Sequence, residues 1–299
     1  MKECMGTGKM RVAVTGATGQ LGRDVTEELR PRGHEVLALG SADMDITKES
    51  SVREVLGTFR PDAVIHCAAW TAVDAAEDPG NRGKVFAVNA EGTANIAAAC
   101  RELGCKMVYI STDYVFSGEG TEPWDPDCRD FRPLNVYGES KLAGEKAVCE
   151  QLKKFFIVRI AWVFGLHGKN FVRTMLNVAE KHDTVRVVND QIGTPTYTAD
   201  LAELLADMII TDRYGFYHAT NEGGYISWYD FTCEIYRQAG KFTAVLPVTT
   251  AEYGLSRAKR PFNSRLEKSK LTESGFKRLP DWKDALSRFL KQLAEQNEQ

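Results

Sequence analysis

The stretch Thr15–Gly22, TGATGQLG, decides the fold of this chain. It follows the apolar run RVAV and leads into a helical pattern from Leu21 to Leu29, so it predicts the turn between a first strand and a first helix. Its glycines, Gly16, Gly19 and Gly22, recur at every third position. Glycine there permits a tight turn and lets the backbone approach a diphosphate held at the helix N-terminus. The stretch therefore predicts a dinucleotide site in the first strand–helix unit.

Strand and helix signals alternate downstream of this turn. Apolar β-rich runs occur at 34–40, 62–69, 106–112 and 155–165, with helical patterns at 48–59, 84–103 and around Tyr137. Short apolar strands separated by helices imply parallel strands joined by crossover helices. We expect an α/β fold, a Rossmann-type doubly wound parallel sheet with a smaller C-terminal substrate-binding lobe. Residues 10–165 would form the NAD(P)-binding domain, and 166–299 mostly the lobe, with some segments returning to the Rossmann domain.

Composition narrows the class of protein. The 299 residues carry a formal net charge of −3, which gives no field that attracts nucleic acid or an anionic membrane. No apolar run approaches the roughly 18 residues that a membrane span requires. Seven cysteines, without a Cys-x-x-Cys pair, fit a reduced cytoplasmic protein better than a disulfide framework. Met10 begins the first strand, so we interpret residues 1–9 as a disordered extension or the product of an alternative start.

Tyr137 and Lys141, in NVYGESKLAGEK, lie four residues apart on a predicted helix and so share one face. A lysine ammonium beside a phenol favours the phenolate, so we expect the pKa of Tyr137 to fall from about 10 towards neutrality. Thr112 ends the strand KMVYIST, 25 residues before Tyr137, at the sheet edge where such folds bind ligands. A tyrosine that exchanges a proton and a hydroxyl that stabilises an alkoxide suit carbonyl chemistry. The three residues predict a Thr-Tyr-Lys triad.

The choice of cofactor depends on the end of the second strand. That strand ends Leu39–Ser41, without the acidic residue that would bind the ribose hydroxyls of NAD. Arg23 either contacts the 2′-phosphate of the cofactor or is a solvated helix arginine. The first interpretation favours NADPH. Asp45 with Ile46 could place a carboxylate near the adenine, which keeps NADH open. Asn89 either holds the long helix and a water for proton relay or caps that helix.

The chain resembles the dTDP-4-dehydrorhamnose reductase family of extended short-chain dehydrogenases/reductases in segments that run in order from about Arg11 to the last helix: TGATGQLG, AAWTAVDAAE, STDYVFSG, NVYGESKLAGE, VNDQIGTPTYTADLA and RPFNSRL. The resemblance implies NAD(P)H-dependent reduction of the C4 keto group of dTDP-4-dehydro-L-rhamnose to dTDP-L-rhamnose, in nucleotide-sugar and cell-surface polysaccharide biosynthesis. It implies that Tyr137 protonates O4, Lys141 binds the nicotinamide ribose and Thr112 polarises the carbonyl. The resemblance is also compatible with a homodimer, and we assign no metal-binding site.

The resemblance also implies roles for individual positions. The cofactor side comprises Gly16, Thr18, Gly19, Gln20, Leu21, Gly22, Arg23, Asp45, Ile46, Ala68, Ala69, Trp70, Asn89, Tyr137 and Lys141. The substrate side comprises Thr71, Val73, Asp74, Thr112, Asp113, Trp162, Asn189, Gln191, Arg260 and Asn263, with Asp190, Thr194, Pro195, Ser264 and Arg265 beside them. His66 stands where a related pattern has Asn, and we interpret it as a hydrogen-bonded core histidine.

Two alternatives stay open. One is a reductase or epimerase of another nucleotide sugar, since the triad is shared across extended reductases. The other is a non-catalytic NADP-binding subunit that resembles the regulatory subunit of methionine adenosyltransferase, against which the intact triad weighs. The stretch Ser117–Leu134, rich in glycine and proline, predicts a loop over the active site.

Overall fold

The computed structural model describes residues 8–297, so most of the predicted N-terminal extension lies outside it. The strands are β1 Arg11–Thr15, β2 Glu35–Leu39, β3 Ala63–His66, β4 Lys106–Thr112, β5 Phe155–Ile160, β6 Val163–Phe164, β7 Thr184–Val188, β8 Ile192–Gly193, β9 Thr196–Tyr197, β10 Gly215–His218, β11 Asn221–Glu222, β12 Ile226–Ser227, β13 Ala244–Val248 and β14 Leu279–Asp281. The α-helices are α1 Gln20–Leu29, α2 Glu49–Phe59, α3 Val73–Ala76, α4 Arg82–Phe86, α5 Thr93–Leu103, α6 Val136–Gln151, α7 Phe171–Ala179, α8 Thr198–Ile209, α9 Trp228–Gln238, α10 Thr250–Tyr253, α11 Ser269–Glu273 and α12 Trp282–Asn297.

A six-stranded sheet in the order β10-β5-β4-β3-β1-β2 forms the centre of the molecule. Every neighbouring pair in it is parallel. The chain runs from β1 to β2 on one side and then returns to β3 on the other, so a crevice opens beside the carboxyl end of β1. The predicted doubly wound α/β fold is confirmed.

The central sheet is buried on both faces, as its apolar runs predicted. Val12 and Val14 of β1 face one hydrophobic cluster, which includes α1 and α8, while Ala13 faces the other, which includes α2 and α5. Because successive strand residues point to opposite faces, one short strand supports both helical layers. The end of β1 is thereby held rigidly where the glycine turn begins.

The C-terminal part of the chain contributes to two cores. Phe164, Phe231, Trp282 and Phe289 belong to a separate aromatic cluster formed by α7, α9 and α12. The strands β7 and β13 pair in parallel beside it, a pairing that we did not predict from the sequence. By contrast β10 extends the central sheet and α8 packs against α1. The division of domains near residue 165 stays a prediction.

Two predicted elements are interrupted. The run 155–165 is not one strand, because Trp162 has a left-handed backbone with φ of 52° and separates β5 from β6. The long helix predicted for 84–103 begins at Arg82 and contains a π-helical turn, Ala87–Gly92, between α4 and α5. A π turn changes the rotation of side chains around the helix axis, and such turns are frequent at functional sites.

Within residues 8–297, no helix combines the length and the apolar character that crossing a membrane would require. The six cysteines of this part of the chain are free thiols.

Candidate active site

A cavity of about 770 Å³ opens at the carboxyl ends of β1, β3, β4 and β5. It joins the glycine turn to the segments that follow the other three strands, which is where the topology predicted a ligand site. Its lining contains these predicted site residues: Gly16, Thr18, Gly19, Gln20, Leu21, Gly22, Asp45, Ile46, Ala68, Ala69, Thr71, Val73, Thr112, Asp113, Tyr137, Lys141, Trp162 and Arg260.

The glycine turn is packed too closely for side chains at Gly16 and Gly22, and it leaves the start of α1 uncovered. Gly16 has a φ of 65°, and a Cβ on it would lie 2.7 Å from the backbone nitrogen of Ala68. A Cβ on Gly22 would lie 2.2 Å from the carbonyl oxygen of Gly16. Gly19 is the N-cap of α1, so no side chain covers the first backbone N–H groups of this helix. These features fit the diphosphate of a dinucleotide.

The three predicted triad residues come together in this cavity. Thr112 ends β4, where its hydroxyl donates to Asp113 Oδ1 at 3.0 Å. Tyr137 and Lys141 lie on the inner face of α6, whose N-terminus is capped by the side chain of Asn135. The ammonium of Lys141 lies 4.2 Å from the ring centroid of Tyr109. The cavity therefore holds a hydroxyl, a phenol and an amine in one place.

Burial controls the protonation of the triad. It raises the pKa of Tyr137 well above the ordinary value, against an opposing effect of the Thr112 hydroxyl. Burial also lowers the pKa of Lys141 to about 7, against an opposing effect of the Glu145 carboxylate. The expectation that the pKa of Tyr137 falls towards neutrality is wrong for this structure, because desolvation and the nearby Asp113 carboxyl raise it. The phenol is therefore protonated at neutral pH.

Asp113 has an acceptor atom to spare. Its Oδ1 accepts from the Thr112 hydroxyl, whereas its buried Oδ2 has no hydrogen-bond partner among residues 8–297. Burial raises the pKa of this carboxyl to about 6, so it is mostly ionised at neutral pH. A buried carboxylate oxygen without a donor is costly, and a ligand hydroxyl would satisfy it.

A buried ion pair links α6, the helix that carries Tyr137 and Lys141, to the central sheet. Arg159 of β5 donates from Nε and Nη2 to the two carboxylate oxygens of Glu145, both at 2.8 Å. The Ser111 hydroxyl donates to the same carboxylate at 2.6 Å. Both charged side chains are almost fully buried, so the pair is a fixed bidentate link between β4, β5 and α6.

The opposite end of the cavity carries the residues predicted to select the cofactor. Asp45 and Ile46 line it, and the Asp45 carboxylate accepts from the backbone and hydroxyl of Thr47 at 3.1 and 2.7 Å. Arg23 is exposed on α1 and lies outside the lining. Its contact with a 2′-phosphate stays a prediction.

The third side of the cavity is aromatic and cationic. Trp162 stacks on Trp228 with ring centroids 3.7 Å apart. Arg260 forms an ion pair with Asp74 at 2.6 Å and donates to the Tyr114 hydroxyl at 3.2 Å. Tyr114 in turn meets the Tyr137 ring edge-on, with ring centroids 5.7 Å apart.

Several predicted residues, all within the described chain, lie outside the lining: Arg23, Trp70, Asp74, Asn89, Asn189, Gln191 and Asn263. Asn89 accepts from the backbone N–H of Trp70, donates to its carbonyl and donates to Ser140 on α6. It neither caps its helix nor faces the cavity, and instead connects the segment after β3 to the helix that carries Tyr137. His66 is hydrogen-bonded to Thr15 and Thr93, so its interpretation as a core histidine is confirmed.

The remaining residues of this group bind other parts of the protein. Asn189 continues the pairing of β7 with β13, and the Gln191 amide donates to Thr250. The Asn263 amide donates to the carbonyls of Glu119 and Glu122 and so anchors the stretch 117–134. This stretch packs against 261–267 and contributes no residue to the described lining, so its role as a loop over the site stays a prediction. The predicted ligand contacts of these residues stay predictions.

Comparison with known proteins identifies the family. Residues 10–295 match the family model described as the RmlD substrate binding domain. The chain belongs to this family. A dTDP-4-dehydrorhamnose reductase of Streptomyces griseus is 43% identical over 283 residues, which are 93% of this chain and 92% of the relative. The spore coat polysaccharide biosynthesis protein SpsK of Bacillus subtilis is 41% identical over 282 residues, 94% of this chain and 97% of that protein.

A solved structure agrees with this family. The dTDP-4-dehydrorhamnose reductase of Bacillus anthracis in complex with NADP has a TM-score of 0.91 and 42% identity to this chain, with coverage of 95% of this chain and 100% of that one. The predicted resemblance is confirmed, as is the prediction of an NAD(P)H-dependent oxidoreductase.

The structure adds lining residues to this RmlD-family site that we did not predict. Among them are Trp228, Phe171, Lys169 and Tyr114. Tyr114 lies two residues after Thr112, so the motif STDYVF held a local signal for it. Trp228 and Lys169 come from segments far along the chain, and no motif in the sequence connects them to the triad.

Proposed function

We propose that this chain reduces the C4 keto group of dTDP-4-dehydro-L-rhamnose with NADPH, giving dTDP-L-rhamnose. One observation carries the proposal: a single cavity contains the glycine turn together with Thr112, Tyr137 and Lys141. The names of the relatives narrow the substrate from any carbonyl compound to a dTDP-linked 4-keto sugar.

The bound NADPH supplies a hydride to C4. Tyr137, which burial keeps protonated, gives its phenolic proton to O4, so the ketone becomes an alcohol. The Thr112 hydroxyl, on releasing its hydrogen bond to Asp113 Oδ1, donates to the same oxygen as charge develops on it. Lys141, which lines the same cavity, binds the nicotinamide ribose. Asp113 Oδ2 is available to accept a hydroxyl of the sugar and so to orient the ring.

The test is NADPH oxidation by the purified protein with dTDP-4-dehydro-L-rhamnose, in the wild type and in Tyr137→Phe. Removal of a general acid costs roughly 100-fold or more in kcat, and we expect that loss with an unchanged Kd for NADPH. Tyr253→Phe, an exposed tyrosine of α10, is the control and should match the wild type.

Three other results would contradict the proposal. Undiminished turnover by Tyr137→Phe would remove the phenol from the mechanism. Interconversion of sugars without net oxidation of NADPH would indicate an epimerase. NADPH binding without turnover of any dTDP-linked keto sugar would favour the non-catalytic, regulatory alternative.

A further inference from the structure

The loop Gly165–Lys169, between β6 and α7, connects the C-terminal part of the chain to the glycine turn. Gln20, in the glycine turn, donates from Nε2 to the carbonyl of Lys169 at 3.2 Å. The side-chain amide oxygen of Gln20, Oε1, accepts from Asn170 Nδ2 at 3.0 Å. A Cβ on Gly168 would lie 3.2 Å from Cγ of Gln20, so the loop backbone packs directly on this side chain. The position of the loop is thus tied to the turn.

The cationic side chains that line the cavity differ in their burial and in whether they already have a carboxylate partner. Arg260 is in an ion pair with Asp74, and Lys141 is buried beside the triad. Lys169 also lines the cavity but is exposed, and its ammonium has no carboxylate partner within residues 8–297. The Lys169 backbone is held at the glycine turn by Gln20, and both line the same cavity, so a diphosphate bound at this turn would lie within reach of the long Lys169 side chain.

We propose that Lys169 binds the diphosphate of the nicotinamide cofactor. The inference rests on the proposed function, since it assumes the dinucleotide that this function requires. The N–H groups at the start of α1 bind phosphate oxygens through partial charges, and the Lys169 ammonium adds a full positive charge on the other side. The sugar nucleotide also carries a diphosphate, but the hydrogen bond from Gln20 to Lys169 places this lysine at the cofactor turn.

The experiment compares Lys169→Gln with Lys169→Arg and with Lys181→Gln, an exposed lysine just after α7. NADPH is titrated into each protein by fluorescence without the sugar, so the readout does not depend on turnover. A charged hydrogen bond at an exposed position corresponds to about a tenfold change in Kd, and we expect that rise for Lys169→Gln. Lys169→Arg should retain most of the affinity, and Lys181→Gln all of it.

Ionic strength gives a second readout. Added salt screens an exposed charge pair, so the Kd of the wild type should rise with salt more steeply than that of Lys169→Gln. Titration of dTDP into the same proteins separates the two diphosphates. An unchanged Kd for NADPH in Lys169→Gln, with or without a weaker Kd for dTDP, would overturn the assignment. If no nucleotide sugar is turned over, the proposed function fails while the NADPH titration still decides the role of Lys169.

Discussion

At the scale of single residues, Lys141 shows that a residue of the proposed triad can destabilise the fold. It is buried and its pKa is lowered to about 7, with desolvation as the main cause. In the unfolded chain the amine keeps a pKa of about 10.4. Between these two values the unfolded state binds more protons than the folded state, so the free energy of unfolding rises with pH across this window. Below about pH 7 the folded state must carry a buried charge.

The first prediction concerns Lys141→Met. This substitution removes the desolvation cost, so at neutral pH it should raise the free energy of unfolding by at least about 1 kcal/mol. It should also remove the rise in stability between about pH 7 and pH 9, and it should abolish turnover. Urea denaturation across this range measures both effects. Lys146→Met, an exposed lysine on the same helix, is the control, and an unaltered pH dependence in Lys141→Met would contradict the argument.

At the scale of elements, the contact between α6 and β4 fixes the triad. A Cβ on Gly144 would lie 2.3 Å from the Tyr109 hydroxyl and 2.5 Å from the carbonyl of Asn89. The helix that carries Tyr137 and Lys141 therefore touches β4 and the π turn through a glycine. Any larger residue would push α6 away from Thr112.

The prediction at this scale compares alanine substitutions at two glycines. Gly144→Ala should lower the free energy of unfolding by about 1–3 kcal/mol, because it overpacks a buried contact. It should also reduce kcat, since it moves Tyr137 relative to Thr112. Gly57→Ala on α2, where a Cβ meets nothing within 4 Å, should instead raise stability by roughly 0.5–1 kcal/mol. Urea denaturation and kcat separate the two, and equal shifts in both variants would refute the packing argument.

The same scale shows why the sequence predicted some elements and missed others. The glycine turn, the Tyr-x-x-x-Lys spacing and the strand before Thr112 are local patterns. The sheet, and the meeting of Thr112, Tyr137 and Lys141 in one cavity, could therefore be predicted. The π turn at 87–92 and the left-handed Trp162 depend on tertiary packing, which no short pattern encodes. The stacking of Trp162 on Trp228 joins positions far apart in the chain. Burial likewise reversed the expected pKa shift of Tyr137, because spacing alone does not reveal desolvation.

At the scale of the whole molecule, a polar cluster connects the aromatic cluster to the hydrophobic core that α1 and α8 form on the central sheet. Asp200 of α8 is buried, and both of its carboxylate oxygens accept from Arg288 of α12, at 2.7 and 2.8 Å. Oδ2 also accepts from Asn221 at 2.7 Å. The helix α8 packs on α1, and α12 belongs to the aromatic cluster. The polar cluster therefore holds the C-terminal core against the cofactor-binding half. We therefore expect the two halves to unfold together.

The last prediction tests that coupling with Arg288→Met. It leaves the buried Asp200 carboxylate without its cation, and we expect a loss of about 2 kcal/mol, less than for a fully buried pair because Arg288 is partly exposed. Arg53→Met is the matched control, since its ion pairs with Glu49 and Glu102 are solvent-exposed and should change stability by less than about 0.5 kcal/mol. Tryptophan fluorescence, to which all five tryptophans of the chain contribute, and far-UV circular dichroism should shift to lower urea together. Two separate transitions in the wild type would show that the halves unfold independently, and the Asp200–Arg288 pair would then stabilise the C-terminal core alone.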